Sequence, residues 1–379
     1  MQKRLRFGII GGGLMGREFV SAAARWCHLT DMQVRPEVVA VCDTRPEALE
    51  WFAEAAGVSR TTADYRELLA DDDVDAVYCA VPHNLHERFY CDTIAAGKHL
   101  LGEKPFGIDL EANARIVAAA AERDDLVVRC CSEFPYFPGA QRIVEHIRAG
   151  RVGRVLEAEV GFLHCSDMNP DKPLNWKRTI SANGEYGCMG DLGLHILHVP
   201  LRVGWVPRNV RAILSNIFPR RPDGSGEPAA CETWDNATLL CEVEREGGSF
   251  PLTAKTHRIS PGETNTWYIS VRGTRLSARF STRRPRTLET MPYEPGGRQC
   301  WREEAIGYQS VYPTITGSIF EFGFGDALLQ MIAAFCHQVL EGNGAEVPFG
   351  CGTLEETQWT HRIFTAALRS HARREVVGV

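Results

Sequence analysis

The segment LRFGIIGGGLMG, residues 5–16, decides the fold that this sequence predicts. A short apolar run, RFGII, leads into the spacing G-x-G-x-x-G, and a helical pattern begins directly afterwards. Gly11 allows a tight turn, Gly13 lets backbone amides approach a pyrophosphate, and Gly16 lets the helix pack closely on the strand. We therefore expect a dinucleotide to bind at Gly11, Gly13, Leu14, Met15 and Gly16, with a purely structural glycine turn as the alternative.

An acidic residue, Asp43, closes the second predicted strand, VVAVCD. A carboxylate at this place accepts hydrogen bonds from the ribose hydroxyls of NAD and repels the 2′-phosphate of NADP. Arg45 keeps NADP open as a second cofactor, because a guanidinium pairs well with a phosphate. The sequence therefore predicts NAD, with Asp43 and Arg45 near the adenosine. The alternative for Asp43 is an acid that only caps a helix or a turn.

The chain divides into two patterns of secondary structure. Up to about residue 128, short apolar runs alternate with amphipathic helical segments, which is typical of a doubly wound parallel sheet. The predicted strands of this part are RFGII, VVAVCD, AVYCAV, HLLGE and LVVRC, and the predicted helices are 17–26, 46–56, 85–96 and 110–122. We therefore predict an α/β fold in which residues 1–130 form a Rossmann dinucleotide-binding domain.

Beyond residue 130 the pattern changes. A helix at 140–149 precedes four strand-like runs, VLEAEVGFLH, TLLCEVERE, FPLTAKTHRI and TWYISVRG. Patches rich in Pro and Gly at 219–228 and 285–297 predict long loops, and predicted helices at 327–340 and 354–370 close the chain. We therefore predict that residues 131–379 form a second, α+β domain with an antiparallel sheet.

Composition and charge limit the class of ligand. The 379 residues carry 42 Lys and Arg against 48 Asp and Glu, a net charge of −6 without long runs of one sign. This balance argues against nucleic-acid and membrane partners and favours a small molecule. No stretch approaches the ~18 apolar residues of a membrane helix, and no secretory signal is visible. The 13 cysteines are scattered without C-x-x-C pairs, so we expect reduced thiols and a cytoplasmic protein.

Two further strand ends carry polar residues. The third strand leads into Val81, Pro82 and His86, and the fourth leads into Glu103 and Lys104. Because ligands of doubly wound sheets bind at the carboxyl ends of the strands, we expect these residues to border the nicotinamide and the substrate. A surface ion pair is the alternative for Glu103 and Lys104.

The segment YGCMGDLGLHILHVPLRVGW predicts a glycine turn that enters a helix with Leu192, Ile196, Val199 and Leu201 buried. Asp191 and His195 are four residues apart, which places both side chains on one helix face. A carboxylate and an imidazole can then converge on one hydroxyl. A metal site with His198 is an alternative, but no fourth ligand is nearby, and we expect none. A structural acid and a core histidine remain the simpler alternative.

Taken together, these motifs resemble the Gfo/Idh/MocA family of sugar and inositol oxidoreductases. The resemblance spans nearly the whole chain, and its most specific parts are GIIGGGLMG, VPHNLH, AAGKHLLGEKP, Trp176 to Arg178 and GCMGDLGLH. It implies a second domain with a large, open, mainly antiparallel sheet whose exposed face supports a homodimer or homotetramer. Two departures concern the substrate: His198 stands where the family often has Asp, and Glu133-Phe134-Pro135-Tyr136 replaces the usual Asn-x-Arg-Phe.

The resemblance gives the catalytic work to Lys104, Asp191 and His195. It places Pro82 and His86 beside the cofactor and Trp176 and Lys177 in the substrate loop. Polar residues that are further candidates for holding substrate hydroxyls are Asn169, Asp167, Arg178 and His257.

We therefore expect an NAD(P)-dependent oxidoreductase that transfers a hydride between a secondary carbinol of a sugar, anhydrosugar or inositol and the nicotinamide. His195 would be the base, Lys104 would stabilise the alkoxide, and Asp191 would orient the substrate or the imidazole. One alternative is an NAD-dependent glycosidase that uses transient oxidation. Another is a non-catalytic NAD(P)-binding regulator of the same fold.

Overall fold

The computed structural model describes residues 2–307 and 309–379. The strands of the N-terminal part are β1 (Lys3–Ile10), β2 (Val34–Cys42), β3 (Arg60–Thr62), β4 (Ala76–Cys79), β5 (His99–Gly102) and β6 (Val128–Cys130). Its helices are α1 (Leu14–Ala24), α2 (Pro46–Ala56), α3 (Tyr65–Leu69), α4 (His86–Ala95) and α5 (Leu110–Ala121).

Within this described part, the six strands form one parallel sheet in the order β3-β2-β1-β4-β5-β6. The predicted doubly wound parallel sheet is therefore confirmed. The strand order reverses at β1. Ligands of doubly wound sheets bind at such a point, outside the carboxyl ends of the strands. Strand β3 and helix α3 were not predicted, because elements of three and five residues are too short to show a period.

The remaining elements follow in chain order. They are α6 (Pro138–Arg148), β7 (Val155–Leu163), α7 (Ile180–Asn183), α8 (Cys188–Arg202), β8 (Pro207–Ser215), β9 (Arg220–Pro222), β10 (Pro228–Ala230), β11 (Asn236–Arg245), β12 (Gly248–His257), β13 (Thr266–Gly273), β14 (Leu276–Ser281), β15 (Thr287–Pro292), β16 (Arg302–Ala305), α9 (Phe324–Glu341), α10 (Leu354–Arg373) and β17 (Val377–Gly378).

Nine of these described strands form a mixed, mainly antiparallel sheet in the order β16-β15-β14-β13-β7-β12-β11-β8-β17. The pair of β12 and β7 is parallel. The predicted mainly antiparallel sheet is confirmed, but the loops predicted at 219–228 and 285–297 are wrong in part. The first contains β9 and the start of β10, and the second contains β15. Proline and glycine mark only the turns and ends of these strands, while the strands themselves pair through backbone.

Helix α8 is buried on all sides from Cys188 to Leu201, so the predicted burial of Leu192, Ile196, Val199 and Leu201 is confirmed, and burial extends to the other faces of the helix as well. The helix packs on strands of the mixed sheet and also on α10. A Cβ atom on Gly193 would lie 2.0 Å from Cζ of Phe364, which shows how closely α10 approaches. A helix covered on two sides becomes apolar all round, and its polar residues need internal partners.

The chain forms two compact units: residues 1–136 with 309–357, and residues 137–308 with 358–379. This division differs from the predicted domains 1–130 and 131–379. Helix α9 joins the first unit because Phe335 packs on Phe7 of β1, with ring centroids 5.9 Å apart, and Asp326 pairs with Arg25 at 2.7 Å. In the described part of the chain, no helix has the length and apolar content that crossing a membrane requires.

Candidate active site

The glycine turn after β1 is shaped as the motif predicts. Gly11 has a φ of 103°, and a Cβ atom there would lie 2.4 Å from the carbonyl oxygen of Ala80. A Cβ atom on Gly16 would lie 2.3 Å from the carbonyl oxygen of Gly11, so both positions require glycine. At Gly13, by contrast, no described atom lies within 4 Å of such a Cβ, apart from those of the glycine and its two chain neighbours. This open side at the start of α1 fits the pyrophosphate of a dinucleotide, which would approach the helix N-terminus there.

Asp43 is held against this turn. Its Oδ2 accepts a hydrogen bond from the Gly12 backbone N–H at 2.8 Å, and its Oδ1 accepts one from the Arg45 N–H at 2.9 Å. The Arg45 guanidinium also donates to both carboxylate oxygens at 2.9 Å. Burial alone would raise the pKa of Asp43, but the hydrogen bonds from Arg45 and Gly12 outweigh burial and lower the pKa. Because Arg45 is the N-cap of α2, Asp43 is not a helix cap, but its hydrogen bond from the Arg45 N–H is the turn contact of the other alternative.

We expect Asp43→Ser to narrow or reverse a preference for NAD⁺ over NADP⁺. The substitution removes the carboxylate charge and releases Arg45 as a bidentate partner for a 2′-phosphate. The ratio of kcat/KM for NAD⁺ to that for NADP⁺ should fall by roughly 10², the scale of one charge-assisted pair. Asp125→Ser is the control, because Asp125 pairs with Arg123 at the opposite edge of the sheet. An unchanged ratio in the Asp43 variant would show that this carboxylate does not face the ribose.

His86 contacts both the segment that follows β4 and the loop at Gly107. Its ring is fully buried and stacks on Tyr90 with centroids 4.7 Å apart. The Gly107 N–H donates to Nδ1 at 3.4 Å, and Nε2 lies 3.1 Å from the Val81 carbonyl oxygen, so the ring proton belongs on Nε2. These contacts tie Val81 and Pro82 to the loop after Lys104. A cofactor contact of His86 itself stays a prediction.

Glu103 is a buried residue. It is 7% exposed, its Oε1 accepts a hydrogen bond from the Tyr78 hydroxyl at 2.8 Å, and its carbonyl oxygen accepts one from the Tyr90 hydroxyl at 2.7 Å. The surface ion pair that was the alternative for Glu103 and Lys104 is therefore excluded. Lys104, the second residue after β5, is half-buried at the carboxyl end of the parallel sheet.

A second buried acid, Glu133, lies at the same edge of the sheet and was not predicted as a site residue. Gly102 of β5 pairs with Cys130 of β6, and the Cys131 N–H donates to the Gly102 carbonyl at 2.9 Å, so the two strand ends run side by side. Glu133 is 4% exposed. Burial, and then the negative charge of Glu103, raise the pKa of Glu133 to about 8, while the Lys104 ammonium opposes this rise.

We expect Glu133→Gln to flatten the pH dependence of stability. The raised pKa of about 8 means that the folded protein holds a proton that the unfolded chain releases near its ordinary value of 4.5. The contribution of Glu133 is therefore complete below about pH 4.5 and is lost as pH rises to about 8. Between about pH 5 and pH 8, the wild type should lose on the order of 4 kcal/mol in free energy of unfolding relative to the variant.

Chemical unfolding at several pH values measures this difference. Glu111→Gln, at an exposed position of α5, is the control and should keep the slope of the wild type. Parallel curves for the wild type and the Glu133 variant would mean that the carboxyl group is ionised in the fold.

In the second unit, two cations hold Asp191, which lies in the first turn of α8. Lys177 Nζ is 3.0 Å from both carboxylate oxygens, and Arg258 places Nε and Nη2 at 3.3 and 3.2 Å from Oδ2. Asp191 is 5% exposed, so the pairing compensates a buried charge. The structure thus brings Asp191 and Lys177 together. Arg258 was not predicted as a site residue, although it lies within the predicted strand FPLTAKTHRI.

His195 lies one turn after Asp191 on α8 and is 3% exposed. Its ring packs edge-on against Phe162, with centroids 5.6 Å apart, and its carbonyl oxygen accepts a hydrogen bond from Trp267 Nε1 at 2.8 Å. His198, one further turn along, has Nε2 at 2.8 Å from Arg202 Nη2. Among residues 2–307 and 309–379, no group of three His, Cys, Asp or Glu side chains is arranged to hold a metal ion.

The remaining substrate candidates fall into two groups. Arg178 is 1% exposed and pairs with Asp167 and Asp235, so it is part of a buried ion-pair network. Asn169 and Trp176 are exposed, and Lys177 Nζ lies 5.7 Å from the centre of the Trp176 ring.

His257, also a candidate, has Nε2 at 3.2 Å from the Thr238 hydroxyl. Burial, and then the Lys255 ammonium, lower the pKa of His257. The imidazole is thus biased toward its neutral form.

Comparisons with known proteins agree with this architecture. The family described as an oxidoreductase family with an NAD-binding Rossmann fold, GFO_IDH_MocA, matches residues 5–129. Levoglucosan dehydrogenase of Pseudarthrobacter phenanthrenivorans is 24% identical over 92% of this chain and 93% of its own length. Inositol 2-dehydrogenase of Pseudomonas savastanoi is 29% identical over 57% of this chain and 59% of its own length.

A solved structure shows the same fold. Levoglucosan dehydrogenase in complex with NADH and levoglucosan superposes with a TM-score of 0.89 at 23% identity and covers 100% of both chains. A Rossmann unit with an open glycine turn, followed by a mixed-sheet unit that carries an acid and a histidine on one helix, defines an NAD-binding oxidoreductase. Residues 5–129 match the NAD-binding Rossmann model of the Gfo/Idh/MocA oxidoreductases, and most of the chain is similar to a levoglucosan dehydrogenase. The expected resemblance to this family, the fold and the cofactor class are thereby confirmed.

Proposed function

We propose that this protein oxidises one secondary carbinol of a neutral cyclic polyol, a sugar, anhydrosugar or inositol, with NAD as hydride acceptor. The observation that carries the proposal is the pair Asp191 and His195, one turn apart on α8, in a chain whose residues 5–129 match an NAD-binding oxidoreductase family. The relatives that act on levoglucosan and on inositol support this class of substrate. Asn169, Trp176 and Lys177 supply amide, aromatic and ammonium groups that suit a polyhydroxylated ring.

In the proposed mechanism, the alcohol must lose its hydroxyl proton as its carbon loses a hydride. His195 accepts this proton, since an imidazole with an ordinary pKa near ~6.5 is suited to proton transfer at neutral pH. Lys104 stabilises the alkoxide as negative charge develops on the oxygen. Asp191 orients the substrate hydroxyl or the imidazole. The bound nicotinamide would supply the chemistry of hydride acceptance.

The residues proposed to bind the dinucleotide lie at carboxyl strand ends of the first unit. The glycine turn, with Gly11, Gly13, Leu14, Met15 and Gly16, would receive the pyrophosphate, and Asp43 with Arg45 would meet the adenosine ribose. Val81, Pro82, His86, Glu103 and Lys104 would line the remainder of the cofactor site. The raised pKa of Glu133 keeps a second negative charge away from this edge at neutral pH.

Isotope transfer tests the proposed reaction. A panel of pyranoses, anhydrosugars and inositols is first screened for reduction of NAD⁺, and the best substrate is then prepared with deuterium at the reacting carbon. We expect the deuterium in the isolated NADH, and we expect prolonged chelation to leave the rate unchanged. Product formed with only trace cofactor, with deuterium retained in the sugar, would instead identify a glycosidase. Tight NAD binding without turnover of any polyol would identify a regulator.

We also infer that the protein forms a homodimer or homotetramer in a reducing compartment, the cytoplasm. Ile213 and Leu240 are 61% and 53% exposed on the outer face of neighbouring strands β8 and β11, where an apolar surface favours a second copy. All 13 cysteines are free thiols, which suits reducing surroundings. A solution mass of one chain would contradict the first inference.

A further inference from the structure

Asp191 is held by two cations that differ in accessibility. Arg258 is only 3% exposed at its side chain, whereas the Lys177 side chain is 39% exposed. Arg258 directs two N–H groups to Oδ2 alone, and Lys177 Nζ lies at equal distance from both oxygens. The carboxylate therefore has a buried, directional partner and a half-exposed partner that is a single point charge.

Hydrogen bonds of its backbone and of its side chain hold Arg258 in place. Its N–H donates to the Asp235 carbonyl at 3.0 Å, its carbonyl accepts a hydrogen bond from the Asp167 N–H at 3.4 Å, and its Nη1 donates to the Lys177 carbonyl at 3.3 Å. The guanidinium thus meets Asp191 from the end of β12, on a segment held by hydrogen bonds on both sides. A side chain supported in this way has little freedom to change partners.

The charged groups around Arg258 identify Asp191 as its direct partner. Burial raises the pKa of Asp167, but nearby cations outweigh burial and lower this pKa, and Arg258 is close enough to be one of them. However, Asp167 already has its own partners, Lys172 at 2.7 Å and Arg178. Arg258 makes its ion pair with Asp191, and no other nearby carboxylate among the described residues pairs with it.

We propose that Arg258 is a positioning residue for the reaction. It holds the Asp191 carboxylate in one orientation while Lys177 releases Asp191 and binds the substrate instead. The inference rests on the proposed function. A guanidinium stays protonated at every working pH, so its hold on Asp191 is constant. Lys177, on a flexible and half-exposed stem, is the cation that can leave. Without Arg258, departure of Lys177 would remove both of these cations from a buried carboxylate.

A double-mutant cycle tests this coupling. Arg258→Met should lower kcat by roughly 10², because a misplaced catalytic group typically costs that much. Arg258→Lys should recover part of this loss. If Arg258 acts through Asp191, Arg258→Met should lower kcat no further in an Asp191→Asn background. The acidic limb of the pH profile of kcat/KM should also move to higher pH in Arg258→Met, a change that a structural defect alone does not produce. Lys177→Met should act mainly by raising KM.

Arg221→Met is the matched control. Arg221 is equally buried, but its guanidinium donates to the backbone carbonyls of Asp167, Asn169 and Lys172. Arg221→Met should therefore change kcat by the same factor in the wild type and in Asp191→Asn. If the effect of Arg258→Met is also the same factor in both backgrounds, Arg258 does not act through Asp191 and the inference is overturned.

Thermal unfolding of the same proteins separates this inference from the proposed function. Asp191→Asn should raise the unfolding temperature of the Arg258→Met protein, because it removes a buried negative charge that has lost its buried cation. No rescue would overturn the pairing, whatever the substrate. A wild type that oxidises no polyol would overturn the proposed function alone. If Arg258→Met does not fold, Arg258→Lys completes both cycles.

Discussion

Replacing His195 by alanine is expected to lower kcat by roughly 10² or more while the dissociation constant for NAD⁺ stays nearly unchanged. The substitution removes the proposed proton acceptor from α8, whereas the glycine turn belongs to the other compact unit. Stopped-flow or steady-state assays give kcat, and fluorescence titration gives the dissociation constant.

His198→Ala is the matched control. His198 is a fully buried histidine on the same helix, and its imidazole is bound to Arg202. Both variants lose a buried ring, so we expect similar losses of thermal stability but a large loss of kcat only for His195. Equal turnover of the two variants would remove His195 from the mechanism.

Replacing Lys104 by methionine, a side chain of similar length without charge, should also lower kcat by roughly 10². The ammonium at the end of β5 is proposed to stabilise the alkoxide. The same substitution should raise the pKa of Glu133 further, because Lys104 opposes its rise. The pH range over which the free energy of unfolding depends on Glu133 should therefore extend to higher pH, which gives a second measurement on the same variant.

Lys98→Met serves as the control for this substitution. Lys98 lies just before β5 and donates to the Asp71 carbonyl at 2.9 Å, at the opposite end of the strand. Its loss should leave kcat within a few-fold. A Lys104 variant that loses thermal stability but retains turnover would assign Lys104 a structural role only.

Much of the first unit could be predicted from the sequence because its signals are local. The glycine spacing lies within six consecutive residues, and each main strand or helix shows its own period. Helix α2 begins and ends where predicted, at Pro46 and Ala56. Asp191 and His195 were found in the same way, since a separation of four residues places two side chains on one face of a helix.

The sequence by itself thus determined the parallel sheet, the dinucleotide-binding turn and the acid–histidine pair, because each depends on neighbouring residues. Only the tertiary structure decided the rest. It placed α9 in the first unit, set Glu133 beside the strand end that carries Glu103, and joined Arg258 to Asp191 across 67 residues of chain. Such contacts depend on strand order, burial and charge compensation between distant segments, and no spacing within one segment encodes them.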